Sequence, residues 1–210
     1  MKQNFTDITV VLDRSGSMEN IKHDVDGGFN AFIEDQKKIQ GEAVVTLAQF
    51  DDVFEFVYKA RNIQEVPSMK CEPRGMTALL DAVGRAMNET GTRLEKMAEN
   101  ERPDRVIFVI ITDGCENASH EYSKQRIFDT IKHQRETYSW QFVFLAANQD
   151  AIQTGALMGI PMGSSVTFKT TGAGVHNIYT SLSNNVSAYR TGNAQTVSFN
   201  DTDRKDAVAE

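Results

Sequence analysis

The stretch Ile8-Thr9-Val10-Val11-Leu12-Asp13-Arg14-Ser15-Gly16-Ser17-Met18 decides the fold, because the residue pattern changes twice within it and directly after it. Its first part is an apolar, β-branched run of the type that a buried strand requires. After Met18, apolar side chains recur at helical spacing from Ile21 to Ile33. The stretch therefore predicts a buried strand, a short polar loop and a helix, in that order.

The loop carries three oxygen-bearing side chains at alternate positions, Asp13, Ser15 and Ser17. Because open α/β sheets bind their ligands at the carboxyl ends of strands, we expect these side chains at a ligand-binding edge. A set of oxygen ligands suits a hard divalent cation such as Mg²⁺, which keeps part of its water shell. The loop is therefore a candidate magnesium site.

Composition places the chain among ordinary globular proteins. Its 210 residues suit one domain, with 40% hydrophobic and 24% charged side chains. The formal net charge of −7 argues against a nucleic-acid partner, because a broad footprint requires a basic face. No apolar run approaches the roughly 20 residues of a membrane span, so we expect no membrane association.

The two cysteines, Cys71 and Cys115, are too few for a disulfide framework or a thiolate metal site. Cys115 follows Asp113 closely, but no histidine is placed by the sequence to activate it, so a free thiol is predicted rather than a nucleophile. Residues 1–5 lack the apolar core of a signal peptide. We therefore expect a cytoplasmic protein.

Further along the chain, strand and helix patterns alternate, which predicts an α/β fold with a mostly parallel sheet covered on both faces. The predicted strands are 5–12, 43–50, 53–58, 106–111, 140–146 and 165–169; the predicted helices are 19–39, one beginning at 77, 122–138, 150–158 and 175–189. A turn at Asp51 and Asp52 makes the third strand an antiparallel edge strand. The polar residues after 190 predict a domain at 1–190 and a weakly ordered polar tail at 191–210.

The run at 106–111 is apolar without alternation, so it predicts a central strand buried on both faces, beside the first strand. It ends in Thr112-Asp113-Gly114, which adds a second acidic residue at the same sheet edge. Thr77 opens a helix and is predicted to cap it. Asp13, Ser15, Ser17, Thr77 and Asp113 would then form one oxygen cluster drawn from three loops.

This cluster and the order of strands and helices resemble a von Willebrand factor type A (VWA) domain, from about Asp7 to Tyr189. The resemblance implies a Rossmann-like three-layer α/β/α fold, of the stand-alone intracellular type of prokaryotes or phages. It identifies the cluster with the family's metal-ion-dependent adhesion site (MIDAS). Gly75-Met76 stands where the family often has Gly-Gly before the threonine, which removes no ligand.

In the family, Mg²⁺ is held directly by the two serines, here Ser15 and Ser17, and Mn²⁺ is the alternative ion. The threonine and the two aspartates, here Thr77, Asp13 and Asp113, bind directly or through water. The resemblance further implies an open coordination position for an Asp or Glu of a protein partner.

Five residues near the predicted site are candidate partner contacts: Arg14, Met18, Asp51, Asp52 and Asn117. Arg14 and Met18 flank the first loop, and a basic side chain there would attract an acidic ligand. For the two aspartates a solvated turn is the favoured alternative, and for Asn117 the favoured alternative is a residue that stabilises its loop.

The leading functional hypothesis is a non-catalytic, divalent-metal-dependent protein-interaction module. One alternative is a magnesium-dependent phosphotransferase or phosphatase, and another is a structural or assembly component of a phage or stress-response complex. One observation argues against the enzyme hypothesis. Dehalogenase-type enzymes carry a second aspartate two residues after the first, and this chain has Ser15 at that position. The chain also lacks a Gly-x-x-x-x-Gly-Lys phosphate-binding loop.

Overall fold

A computed structural model describes residues 1–209, which form one six-stranded sheet with α-helices on both faces. The elements are β1 (Lys2–Asp13), α1 (Lys22–Lys37), β2 (Glu42–Phe50), β3 (Phe54–Asn62), α2 (Leu79–Lys96), β4 (Pro103–Thr112), α3 (Lys124–Tyr138), β5 (Gln141–Ala147), α4 (Ala151–Leu157), β6 (Ser165–Phe168), α5 (Gly172–Arg190) and α6 (Asp201–Ala207). The strand order is β3-β2-β1-β4-β5-β6, and β2–β3 is the antiparallel pair within this sheet. The predicted α/β fold with an antiparallel edge strand is confirmed.

Two hydrophobic cores lie on opposite faces of the sheet. One packs α1, α5 and α6 against side chains such as Ile8 of β1 and Val109 of β4. The other packs α2, α3 and α4 against strand residues whose side chains lie on the opposite face of the sheet, such as Val11 of β1 and Phe108 of β4. Because β4 contributes side chains to both cores, its apolar run has no alternation, as predicted for a central strand.

The order of the strands reverses between β1 and β4, because β2 lies on one side of β1 and β4 on the other. The two strands are parallel and in register, with Leu12 beside Ile111. Their carboxyl ends, at Asp13 and Thr112, therefore meet at one edge of the sheet. That edge is the position at which open α/β sheets form ligand sites.

The prediction of a weakly ordered tail after residue 190 is wrong. Val197 and Phe199 are buried in the core beside α5, and α6 packs there through Ala207. Asn200 caps α6, and the Lys169 backbone N–H donates to the Ala207 carbonyl over 3.0 Å. Residues 191–209 therefore belong to the same packed unit as residues 1–190.

The packing of residues 191–209 can be tested with a pair of valines. Val197 is fully buried and Val208 is 40% exposed. We expect Val197→Ala to lower the free energy of unfolding by about 2 kcal/mol, because a buried valine contributes roughly 1.5–3 kcal/mol. Val208→Ala is the control, and we expect a change of less than about 0.5 kcal/mol. Equal urea midpoints for the two variants would show that residues 191–209 detach in solution.

Both cysteines are free thiols, with Cys71 buried and Cys115 exposed. Cys115 follows the end of β4 by three residues and is therefore at the same edge of the sheet. Within residues 1–209, no helix combines the length and the apolar character that crossing a membrane requires.

Candidate metal centre

The five predicted ligands converge at the carboxyl edge of the sheet, on three loops. Asp13 ends β1, Ser15 and Ser17 follow it, Thr77 precedes α2, and Asp113 follows β4. The Ser17 hydroxyl donates to Asp113 Oδ1 over 2.6 Å, and the Ser15 and Ser17 Oγ atoms are 3.1 Å apart. The first and third loops are thus in direct contact through side-chain oxygens.

Gly114 shows that the three hydroxyls surround one small space. A Cβ atom at Gly114 would lie 3.1 Å from Thr77 Oγ1, 3.4 Å from Ser17 Oγ and 3.8 Å from Ser15 Oγ. A side chain at this position would therefore press against Thr77 Oγ1 and touch the other two hydroxyls. Because Gly114 follows Asp113 directly, this space also adjoins a carboxylate.

A Gly114→Ala substitution tests this geometry. The added methyl group would occupy space shared by the hydroxyls of Thr77, Ser17 and Ser15. We expect the affinity for divalent metal to fall about tenfold or more, in the range found when the surroundings of metal ligands are altered. The far-ultraviolet circular dichroism spectrum should stay unchanged, and calorimetric titration with Mg²⁺ measures the affinity. Gly27→Ala is the control, because a Cβ atom there meets no atom within 4 Å.

Asp13 is fully buried, and both of its carboxylate oxygens have donors. The Ser15 backbone N–H donates to Oδ1 over 2.6 Å, and the Thr112 hydroxyl donates to Oδ2 over 2.5 Å. These bonds fix the orientation of the carboxylate at the end of β1. The role of Thr112 in orienting Asp13 was not predicted from the sequence. The position of its hydroxyl, just before Asp113, is the signal that could have indicated this role.

The carboxylates of the centre lie where ionisation is disfavoured. Burial raises the pKa of Asp13 to about 6, and burial also raises the pKa of Asp113. A divalent cation beside both groups would offset the cost of keeping them ionised. Ser17 is exposed whereas Ser15 and Thr77 are buried, so Ser17 is the hydroxyl residue of the centre that faces solvent.

The predicted helix cap at Thr77 is wrong. The helix begins at Leu79, and its N-cap residue is Ala78, which has no side-chain capping bond. Thr77 instead pairs with Asn117: its N–H donates to Asn117 Oδ1 over 2.9 Å, and its carbonyl accepts from the Asn117 N–H over 3.0 Å. This pairing holds the Thr77 loop against the loop after β4, with the hydroxyl beside Gly114.

Other polar residues hold the loops around the centre, and sequence reasoning did not find them. Asn148 Nδ2 donates to the Asp113 carbonyl over 3.1 Å, and Gln149 Nε2 donates to the Gly114 carbonyl over 2.8 Å. These residues come from the end of β5, so their partners become visible only once the strands are assembled. The Gly16 N–H donates to the Gly75 carbonyl over 3.2 Å, which joins the loop after β1 to the loop before α2.

Within residues 1–209, no group of three or more His, Cys, Asp or Glu side chains is arranged to hold a metal ion. The candidate centre instead combines two carboxylates, Asp13 and Asp113, with the hydroxyls of Ser15, Ser17 and Thr77. An all-oxygen set of this kind fits a hard cation and is poorly suited to soft metals that prefer thiolate or imidazole.

Comparison with solved structures identifies the architecture. Proximal thread matrix protein 1 (PTMP1) from the mussel byssus superposes with a TM-score of 0.62 at 14% sequence identity, over 89% of this chain. A von Willebrand factor type A protein from Catenulispora acidiphila superposes with a TM-score of 0.57 at 11% identity, over 91% of this chain. The chain has the VWA fold.

The ArnB paralog VWA2 from Sulfolobus acidocaldarius has the same VWA fold, with a TM-score of 0.55 at 14% identity over 86% of this chain. The chain spans less than half the length of these proteins: 47% of PTMP1, 45% of VWA2 and 43% of the Catenulispora protein. No protein-family model and no curated protein matches the sequence. The similarity to the VWA structures is therefore one of fold.

Three of the candidate partner contacts are internal, and those predictions are wrong. Met18 is fully buried in the core on the α1 face. Arg14 is buried because its guanidinium pairs with Asp51 over 3.0 Å and with Glu55 over 2.9 Å. Asp51 is also buried and accepts from Arg74 over 2.8 Å. These pairs connect the hairpin of β2 and β3 to the loops of the VWA fold.

Asp52 and Asn117 are exposed, so contact with a partner remains a prediction for both. Each also has a local role. Asp52 Oδ1 accepts from the Met76 N–H over 3.3 Å, and Asn117 holds Thr77 as described. Gly75, which has φ +67°, lies so close to Asp52 that a Cβ atom would overlap its carboxylate.

Proposed function

We propose that this chain is a protein-interaction module that binds Mg²⁺ at the centre formed by Asp13, Ser15, Ser17, Thr77 and Asp113. The bound ion would accept an Asp or Glu side chain from a partner protein. The observation that carries this proposal is the convergence of three hydroxyls on one space around Gly114, directly beside a carboxylate. Mn²⁺ prefers similar ligands and is expected to substitute for Mg²⁺.

The donor set explains why the ion would bind a further anion. Two carboxylates nearly neutralise a divalent cation, whereas hydroxyl ligands add no charge and leave it able to attract a carboxylate. A structure of PTMP1 carries zinc in its MIDAS motif, which supports a divalent cation at the corresponding edge of this VWA fold. Exposure of Ser17 supports approach of the partner from the side of Ser17.

A binding role is favoured over catalysis by the surroundings of Asp13. A nucleophilic aspartate requires an oxygen that can reach the substrate. Asp13 is fully buried, and its two oxygens already accept hydrogen bonds from Ser15 and Thr112. We therefore propose that the chain has no chemistry of its own and acts by binding, in the reducing environment that two free thiols suit.

The test combines metal binding with capture of partners. Thermal unfolding of the purified protein should shift upward with Mg²⁺, because a ligand at 100 times its Kd stabilises the native state by about 2.7 kcal/mol. Immobilised protein should then retain proteins from a lysate of its own cells in Mg²⁺ and release them in EDTA. Retention of the same proteins in both buffers, or the absence of any shift with Mg²⁺, would contradict the proposal.

A further inference from the structure

A cavity of about 290 Å³, which we call the hairpin recess, opens beside the metal centre. It lies between the β2–β3 hairpin, the start of α2 and the loop at 118–121. Five of its eleven lining residues are apolar, and the other six are charged or polar; the apolar ones are Phe50, Phe54, Ala78, Ala82 and Ala118.

The hairpin recess is continuous with the metal centre along two segments of chain. Ala78 follows Thr77, and Ala118 follows Asn117, which pairs with Thr77 through two hydrogen bonds. The Asp51 carbonyl accepts from the Ala78 N–H over 3.0 Å, so the hairpin is attached at the same point. Thr77 of the centre and Ala78 of the recess are consecutive residues, so their Cα atoms are about 3.8 Å apart and the two features adjoin each other in the chain.

The charged groups of the recess already have partners. Arg85 pairs with Glu121 over 2.7 Å. The Asp81 carboxylate accepts three backbone N–H groups, from residues 120–122, at 2.8 to 2.9 Å. Burial alone would raise the pKa of Asp81, but these three bonds hold it below its ordinary value. A charged occupant would have to break such pairs, whereas an apolar occupant would leave them intact.

Two exposed apolar side chains adjoin the recess or the centre in the sequence. Met76, beside Thr77, is 56% exposed, and Val53 at the tip of the hairpin is 52% exposed. Phe54, in the recess, is half-buried. Covering these groups would be favourable by roughly 25 cal/mol for each Å² of apolar surface.

We propose that the partner presents an acidic residue next to a large apolar residue in its sequence, with the carboxylate on the metal and the apolar side chain in the hairpin recess. This inference rests on the proposed metal-dependent binding and adds the feature that selects the partner. The metal supplies affinity for any accessible carboxylate. The recess distinguishes acidic residues by the neighbour that each one carries.

The experiment selects random twelve-residue peptides displayed on phage against the immobilised protein in Mg²⁺, with elution by EDTA. We expect enrichment of Asp or Glu with Leu, Ile, Met or Phe at an adjacent position. A selected peptide is then synthesised in three forms: unchanged, with the acidic residue replaced by its amide, and with the apolar residue replaced by Ala. The apolar-to-Ala form should bind about tenfold more weakly, as loss of one buried aliphatic side chain requires.

An Ala118→Phe variant, which fills the recess, should bind the unchanged and the apolar-to-Ala peptides within about twofold of each other. The control is Ala98→Phe, at an exposed alanine just beyond the opposite end of α2, which should behave as the wild type. Acidic enrichment without an apolar neighbour would overturn the role of the recess and leave metal-dependent binding intact. Peptides without an acidic residue, or no peptide eluted by EDTA, would overturn both proposals.

Discussion

An Asp13→Asn variant should fold normally and lose at least about a hundredfold in affinity for Mg²⁺. Loss of groups that only orient metal ligands costs ten- to hundredfold, so loss of one of two ligand charges should cost no less. Asparagine has nearly the same shape, and its Oδ1 can still accept the Ser15 N–H. The Thr112 hydroxyl can rotate and accept from the new amide, so the loop keeps both bonds.

The stability of the metal-free protein separates this variant from a misfolded one. Burial raises the pKa of Asp13 to about 6, so its ionised form is held unfavourably at pH 7. Because asparagine carries no charge, the metal-free variant should unfold at the same temperature as the wild type or higher. With Mg²⁺ present, the order should reverse, since only the wild type gains from the ion.

Calorimetric titration with Mg²⁺ and capture of partners in Mg²⁺ are the two measurements for Asp13→Asn. The matched control is Asp129→Asn, on the exposed face of α3, which should leave both unchanged. If Asp13→Asn kept the wild-type affinity for metal and still retained partners in an EDTA-sensitive way, the centre would lie elsewhere in the protein.

The parts of the fold that could be predicted were those with strong local patterns. The run at 106–111 has no polar residue, and this leaves a central strand as the simplest interpretation. Polar residues placed at strand ends then indicated the candidate metal centre, because the topology of α/β sheets brings those ends together. Four candidate ligands, Asp13, Ser15, Ser17 and Asp113, could be named because they lie at or just after the ends of β1 and β4. Thr77 was named instead as the start of a predicted helix.

The wrong predictions concern residues whose environment comes from distant segments. Arg14 is buried because Asp51 and Glu55 reach it from the hairpin, and no local pattern shows this. The tail contains few apolar residues, so its polarity suggested disorder. Val197 and Phe199 nevertheless contact the core, because single apolar residues can hold an irregular segment when a neighbouring surface accepts them.

Arg93→Met should lower the free energy of unfolding by about 3 to 5 kcal/mol at pH 7, because it leaves a buried carboxylate without its cation. That carboxylate is Asp7, which is fully buried in β1 with its Oδ2 atom 2.7 Å from Arg93 Nη1. Arg93 reaches it from α2, so the pair links the helix to the centre of the sheet. Arg85→Met on the same helix is the control: its ion pair with Glu121 is exposed and should contribute less than about 1 kcal/mol.

The free energy of unfolding of Arg93→Met should depend on pH in a way that identifies the cause of its lower stability. Burial raises the pKa of Asp7 above its ordinary value of 3.8 and outweighs the opposing charge of Arg93. Without Arg93, the folded protein favours the protonated carboxyl still more strongly. It then binds more protons than the unfolded chain at pH values above 3.8, so the variant should regain stability as the pH falls from 7 toward 4.

A second substitution completes the test. Asp7→Asn combined with Arg93→Met removes both charges, so most of the lost stability should return and its recovery at low pH should disappear. Urea unfolding of the wild type and of the single and double variants at pH 7 and pH 5 provides the six values required. If Arg93→Met lost no more stability than Arg85→Met, Asp7 would already be neutral in the wild type at pH 7. The buried pair would then act through packing rather than charge.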